Sequence, residues 1–210
     1  MTAFERWCAV MISVSAIGYF PFAEWLATAR NGTALFLVAE LIYGLRLLYV
    51  LVAILGVAVV RCIGRSRAGA VELILLGLLY VVCCFVGIRL GQQTRMAGMR
   101  AFTERAKPLV AAIHQYERDH HAPPGSLATL VPRYLPEVPS TGMRAYPEYY
   151  YSTGDECRRR YQDNPWALSV STPIGFLNWD CLLYFPRRNY PERGYGGSLE
   201  RVGDWAYVHE

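Results

Sequence analysis

Four oxygen-bearing side chains, Asp155, Asp163, Asn178 and Asp180, fall in the strand connections of the last sixty residues. Hard oxygen ligands in loops are the chemistry of calcium, so these four are the calcium candidates. Their spacing is not that of an EF-hand, and the competing reading is turn-forming Asp and Asn bonding to local backbone. His114, His120 and His121 are the obvious zinc candidates. On a helix only His114 and His121 share a face, and two turns separate them by about 10 Å, too far for one ion. Cys157 and Cys181 are the two cysteines of the last 120 residues. In an oxidising compartment such a pair invites a disulfide, and closing a loop of about 25 residues would contribute about 3 kcal/mol. Tyr149, Tyr150 and Tyr151 are consecutive. In a strand Tyr149 and Tyr151 face one side and Tyr150 the other, which predicts a core face and a contact surface, since aromatics are enriched at interfaces.

No nucleophile-elbow glycines, phosphate-binding loop or zinc-protease helix occurs, so no catalytic motif supports an enzyme. Residues 91–210 hold 14 Lys and Arg against 13 Asp and Glu. That balance lacks the concentrated basic face that nucleic acid requires. Arg158, Arg159 and Arg160 form the one dense basic run and read as a solvated loop.

The elements that must position these groups divide the chain in two. Residues 7–28, 34–60 and 70–90 are apolar stretches, each long enough to cross about 30 Å of hydrocarbon as a helix. They predict a three-span anchor over 1–90 and a lipid bilayer as the first partner. Arg61, Arg65 and Arg67 lie between the second and third stretches, whereas Arg30 alone lies between the first and second. The positive-inside rule then keeps the Arg-rich loop and the N-terminus cytoplasmic and sends residues 91–210 outside. A signal-peptide reading of the first stretch, cut near Ala27-Thr28-Ala29, is opposed by bulky Trp25 and charged Glu24. Glu40 and Arg46 fall six residues apart in the outer half of the second stretch, on different faces of a helix.

Beyond Gly91 the period becomes helical. Met99, Phe102, Ala106, Leu109, Ile113 and Tyr116 recur at steps of three and four and make one apolar stripe. Pro108 is expected to kink or restart that helix. Ala122-Pro123-Pro124-Gly125 ends it, and Ser126 is placed to cap a short turn through Leu127 and Leu130. Glu148–Ser152, Trp166–Thr172, Cys181–Phe185 and Val202–His209 read as strands separated by turn signals. The expected fold is an α+β domain, one long helix on a small antiparallel sheet.

Ala112-Ile113, Tyr116, Asp119, Pro123-Pro124, Ser126-Leu127, Leu130, Tyr134-Leu135-Pro136 and Pro139 resemble the core of the type II secretion pseudopilin and type IV pilin fold. The resemblance covers about residues 70–140. It implies a membrane helix running into an amphipathic helix, then a proline-containing loop, a short helix and an antiparallel sheet. Pilins are cleaved after a glycine that follows a basic leader. Here Arg65-Ser66-Arg67-Ala68-Gly69 precedes Ala70-Val71-Glu72, with the glutamate third after the glycine and no phenylalanine.

These readings converge on a bacterial inner-membrane protein that presents a pseudopilin-like domain to a protein partner in the periplasm, with no cofactor and no nucleic acid. The alternatives are a sensor that binds calcium or another small ligand, and a processed pilin-like subunit cleaved after Gly69.

Overall fold

In the computed structural model, the described residues are 2–30, 67–174 and 178–210, with residues 41, 44–45, 48, 50–52, 54–57, 59 and 63 between. The expected second span falls largely outside them, as do Glu40 and Arg46. Helix α1 covers Ala3–Thr28 and helix α2 covers Arg67–His120. The chain separates into two units, one made of Met1–Leu26 and Leu35–Arg95, the other of Ala27–Ala34 and Met96–Glu210.

In the first unit, α1 and the early part of α2 run parallel. Arg6 pairs with Glu72, and Glu24 pairs with Arg95 at 2.9 Å. Between these ends, Gly87 lets the helices close. A Cβ there would lie 2.3 Å from the carbonyl oxygen of Ala16, a distance at which backbone would have to move. Most apolar side chains of the unit face outward, among them Trp7, Met11, Phe22, Val71, Leu75, Leu78 and Phe85. A soluble protein of this size does not leave so much contiguous apolar surface in water.

The three-span expectation is corrected here. Among the described residues two helices are long and apolar enough to cross a membrane, within Ala3–Thr28 and Val71–His120. Apolar length in the sequence tests composition alone.

In the second unit, the rest of α2 lies on a six-stranded antiparallel sheet with strand order β1-β2-β3-β6-β5-β4. The strands are β1 Tyr150–Thr153, β2 Trp166–Ser171, β3 Cys181–Tyr184, β4 Arg193–Gly194, β5 Gly197–Val202 and β6 Trp205–His209. A short helix, α3, covers Gly154–Arg160 between β1 and β2. The register aligns Tyr151, Leu168, Tyr184, Trp205 and Val202 across one face. The stripe of α2 packs there: Met99, Phe102, Ala106, Leu109 and Ile113 are all fully buried. Phe102 meets Trp205 edge-on at 5.1 Å, and the Trp166 indole N–H donates to Glu117 at 3.1 Å. Pro108 lies inside α2 without ending it.

The remaining expectations are met in part. Leu127–Leu130 forms a short 3-10 turn with Leu130 fully buried, but the Ser126 hydroxyl contacts Thr129 rather than a backbone N–H. The single strand expected over Val202–His209 is a hairpin. Gly203, at φ +61, takes the first central position of the two-residue turn, where glycine costs least. That turn joins β5 to β6.

Candidate functional site

The face of the sheet opposite α2 is divided. Its register rows run Tyr150, Ser169, Leu183, Ala206 and Arg201, then Ser171, Cys181, Val208 and Leu199. One half is closed by α3 and the loop from Phe185 to Tyr195, where Cys157, Tyr161, Ala167, Leu183, Phe185 and Val208 form a second core. Tyr161 stacks on Tyr195 at 5.8 Å, and Phe185 stacks on Tyr190 at 4.7 Å. The loop is tied down by polar groups. Tyr190 donates from its hydroxyl to the Asp204 carbonyl and accepts from the Phe185 N–H, each at 2.8 Å. Asn164, fully buried, donates to the Tyr161 carbonyl and accepts from the Arg187 N–H.

No element among the described residues covers the other half. Ser169, Ser171 and Cys181 are small, so the sheet floor is low there. Around it stand Tyr150, Tyr161, Tyr195, Trp179 and Arg160, enclosing a hollow of about 370 Å³. Trp179 is 71% exposed and Tyr150 54%, a large apolar area left in water beside two serine hydroxyls and a guanidinium. A second hollow of about 340 Å³ shares Arg160 and Tyr161 with the first and continues past Ser152, Glu156 and Cys157. Arg160 lies over the Tyr161 ring at 5.5 Å and makes no ion pair among the described residues. Its neighbour Arg158, by contrast, pairs with Asp163.

Tyr149 and Tyr151 face α2, and Tyr150 lines the open half. Tyr149 lies 5.8 Å from Phe102, and burial pushes its phenol up to about 12. The Tyr151 hydroxyl donates to the Pro124 carbonyl at 2.9 Å.

The calcium candidates are dispersed among other duties. Asp163 sits between Arg158 and Arg187, whose hydrogen bonds and charge, the Arg187 contact first, hold its carboxyl below the usual range. Asp180 is buried and accepts from the Tyr207 hydroxyl at 2.6 Å, the Glu210 N–H at 2.9 Å and the Asn178 amide at 2.8 Å. Asp155 lies in the first turn of α3. Among the described residues, no three His, Cys, Asp or Glu side chains converge on one point. His114 instead contacts the Tyr184 hydroxyl at 3.2 Å and the Trp166 ring, and His120 stacks on Tyr116 at 4.0 Å.

The disulfide expectation is overturned. Cys157 and Cys181 are both free thiols, with no Sγ pair at or near bonding distance. Cys157 is buried in α3 and Cys181 opens β3, so each serves the second core as a small apolar side chain. An even count of cysteines carries no geometry. Burial, first of all, pushes both thiols up to about 11; around Cys181 the charges of Asp180 and Glu210 add to it and Arg160 opposes it.

The groups that sequence reasoning missed are Arg160, Trp179, Ser169 and Ser171. The signal for Arg160 was present: Asp155-Glu156 precede Arg158-Arg159-Arg160, acids first and bases last, as the helix dipole favours. That order marks a short helix rather than a loop. The Glu24–Arg95 pair was also missed, because partners 71 residues apart leave no local pattern. No protein-family model, curated protein or solved structure matches the chain, so the geometry stands alone.

Proposed function

We propose that this protein is a membrane-anchored binding module whose α+β domain meets a protein partner through the open half of its sheet. The observation that carries the reading is that open half itself. A surface of exposed Trp179 and Tyr150 around a serine floor and the Arg160 guanidinium, which makes no ion pair among the described residues, has the composition of a contact site, rich in aromatics and Arg. The two apolar helices supply the anchor.

The orientation follows from charge. Arg61 and Arg65 precede Arg67, the first residue of α2, in the sequence, and the positive-inside rule favours the cytoplasmic side for that end. The domain, which follows the apolar part of α2, then lies across the bilayer, in the periplasm of a bacterial inner-membrane protein. The pilin-like reading of the domain rests on a long helix laid on an antiparallel sheet after the Pro123-Pro124 turn. The first unit argues against processing after Gly69. Losing α1 would strip Glu24 from Arg95, which is 2% exposed, and removing one partner of a buried pair costs about 3–5 kcal/mol.

Two measurements test this. A C-terminal alkaline phosphatase fusion should be active and a fluorescent-protein fusion dark; the reverse pattern sinks the orientation. A photo-crosslinking residue at Tyr150 or Trp179 should yield a discrete adduct in cells, and one at Lys107, across the sheet, should not. Equal adducts at all three positions would remove the open half as the contact site.

A further inference from the structure

The open half ends at an edge that is itself unpartnered. β1 is the last strand of the sheet. Tyr150, Tyr151 and Ser152 make backbone hydrogen bonds to β2 alone among the described residues, while Thr153 is already the N-cap of α3. Natural edges are blunted by lysine, proline, bulges or extreme shortness. The far edge obeys this, since β4 is two residues long. β1 does not: Tyr150-Tyr151-Ser152-Thr153 is uncharged and contains no proline, and its two tyrosines and threonine favour extended backbone. The second hollow lies along this strand, past Tyr151, Ser152 and Thr153 with Glu156 on its α3 side; the first lies behind Tyr150 over β2 and β3, and Arg160 and Tyr161 are common to both. A strand added outside β1 would lie about 4.8 Å beyond it, with its same-face side chains beside Tyr150 and Ser152 and within reach of the hollow that Arg160 shares.

We infer that β1 accepts an extended peptide segment of the partner by strand addition, and that Arg160 selects an acidic side chain in it. This rests on the binding reading above and names the partner's chemistry. Backbone pairing would supply affinity and the hollows specificity. Charge decides between occupants. A second copy adding its own β1 would bring a second Arg160 to the same trough, whereas a carboxylate would meet a guanidinium that makes no ion pair among the described residues, a charge-assisted contact.

The test screens a positional-scanning library of hexapeptides against the full chain in detergent micelles. Asp or Glu should be selected at one position. Arg160→Gln, at an exposed side chain, should leave melting unchanged and weaken the selected peptide about tenfold, as loss of one charged hydrogen bond would. It should have no effect on the same peptide carrying Gln for Glu. Methylating alternate backbone nitrogens of that peptide should abolish binding in one register and spare it in the other, and the peptide should slow amide exchange in Tyr150–Thr153. Tolerance of both registers, or absence of acid selection, overturns the inference. So does concentration-dependent dimerisation that protects β1 without any peptide. If strand addition fails but the crosslinks at Tyr150 and Trp179 persist, the binding face survives; if both vanish, both readings fall.

Discussion

Tyr149, Tyr150 and Tyr151 are chemically identical neighbours, yet the two faces of one sheet give them different work. Tyr149 and Tyr151 lie under α2 beside Phe102 and Trp166, each partly buried. Tyr150 stands over Ser169 on the other side and is half in water. On the α2 face the stripe from Met99 to Ile113 and the facing Leu168, Tyr184, Trp205 and Val202 are all buried, so each side chain there is held by its neighbours. The opposite face is filled only where α3 and the Phe185–Tyr195 loop cover it. One face therefore holds the domain together, and half of the other is free to change without unfolding it.

The largest effect should come from the filled face. Trp205 is 2% exposed and touches both Phe102 and Tyr184. Trp205→Ala should destabilise the domain by about 3–5 kcal/mol, the usual cost of emptying an aromatic site that cannot collapse. Denaturant melting of the full chain in micelles reads this directly. A loss below about 1 kcal/mol would mean that the helix face is as loosely filled as the open one, and the contrast would fail.

A middling effect is expected where the closed and open halves meet, at Cys157 and Cys181. Both thiols titrate near 11 in the fold against 9.0 for an ordinary cysteine. The folded state thus holds these protons where the unfolded chain releases them. Their contribution is complete below about pH 9 and is lost as pH climbs through about 11. Melting temperature should fall across that interval, and oxidising buffer should not raise it at neutral pH, since the thiols are unpaired. Site-resolved iodoacetamide labelling sharpens the point. Cys181 should label faster with each unit of pH towards 11, because the thiolate is the nucleophile. Cys157, 1% exposed, should remain protected until the domain unfolds. Arg160→Gln should slow Cys181 further by removing the cation that favours its thiolate. Unchanged labelling would show that Arg160 does not govern the trough.

How far this division could be read from the sequence depends on the range of the interactions involved. The stripe on α2 was legible because burial on a helix repeats every three or four residues, and every member from Met99 to Ile113 is buried. The alternation of the three tyrosines was legible for the same reason at period two. Three strands of the four expected were placed within two residues of their observed bounds, while β4 and β5 were missed. β5 alternates half-buried and exposed residues around Gly197 and Glu200, so its apolar signal is weak, and β4 is too short to carry one. The anchor count, the disulfide and the Glu24–Arg95 pair depend on which distant segments meet. Composition, parity and spacing do not encode that. The open half was illegible because a hollow is made by small residues on one strand and large ones on three other segments.

The smallest expected change in stability is at Tyr150. Tyr150→Ala removes a ring that is 54% exposed and leaves its neighbours' contacts with α2 intact, so melting should shift by no more than about 0.5 kcal/mol. Tyr149→Ala, one residue away, empties a buried contact with Phe102 and should cost about 3 kcal/mol or more. The same ring at Tyr150 should nevertheless matter for binding, since it walls the hollow beside β1. Selected peptides should bind the Tyr150→Ala protein more weakly while its fold is unchanged, and that dissociation of binding from stability is what separates a contact face from a core face. Equal destabilisation by both substitutions would place Tyr150 in the core as well. The sheet would then have no free half, and strand addition at β1 would lose the wall that guides it.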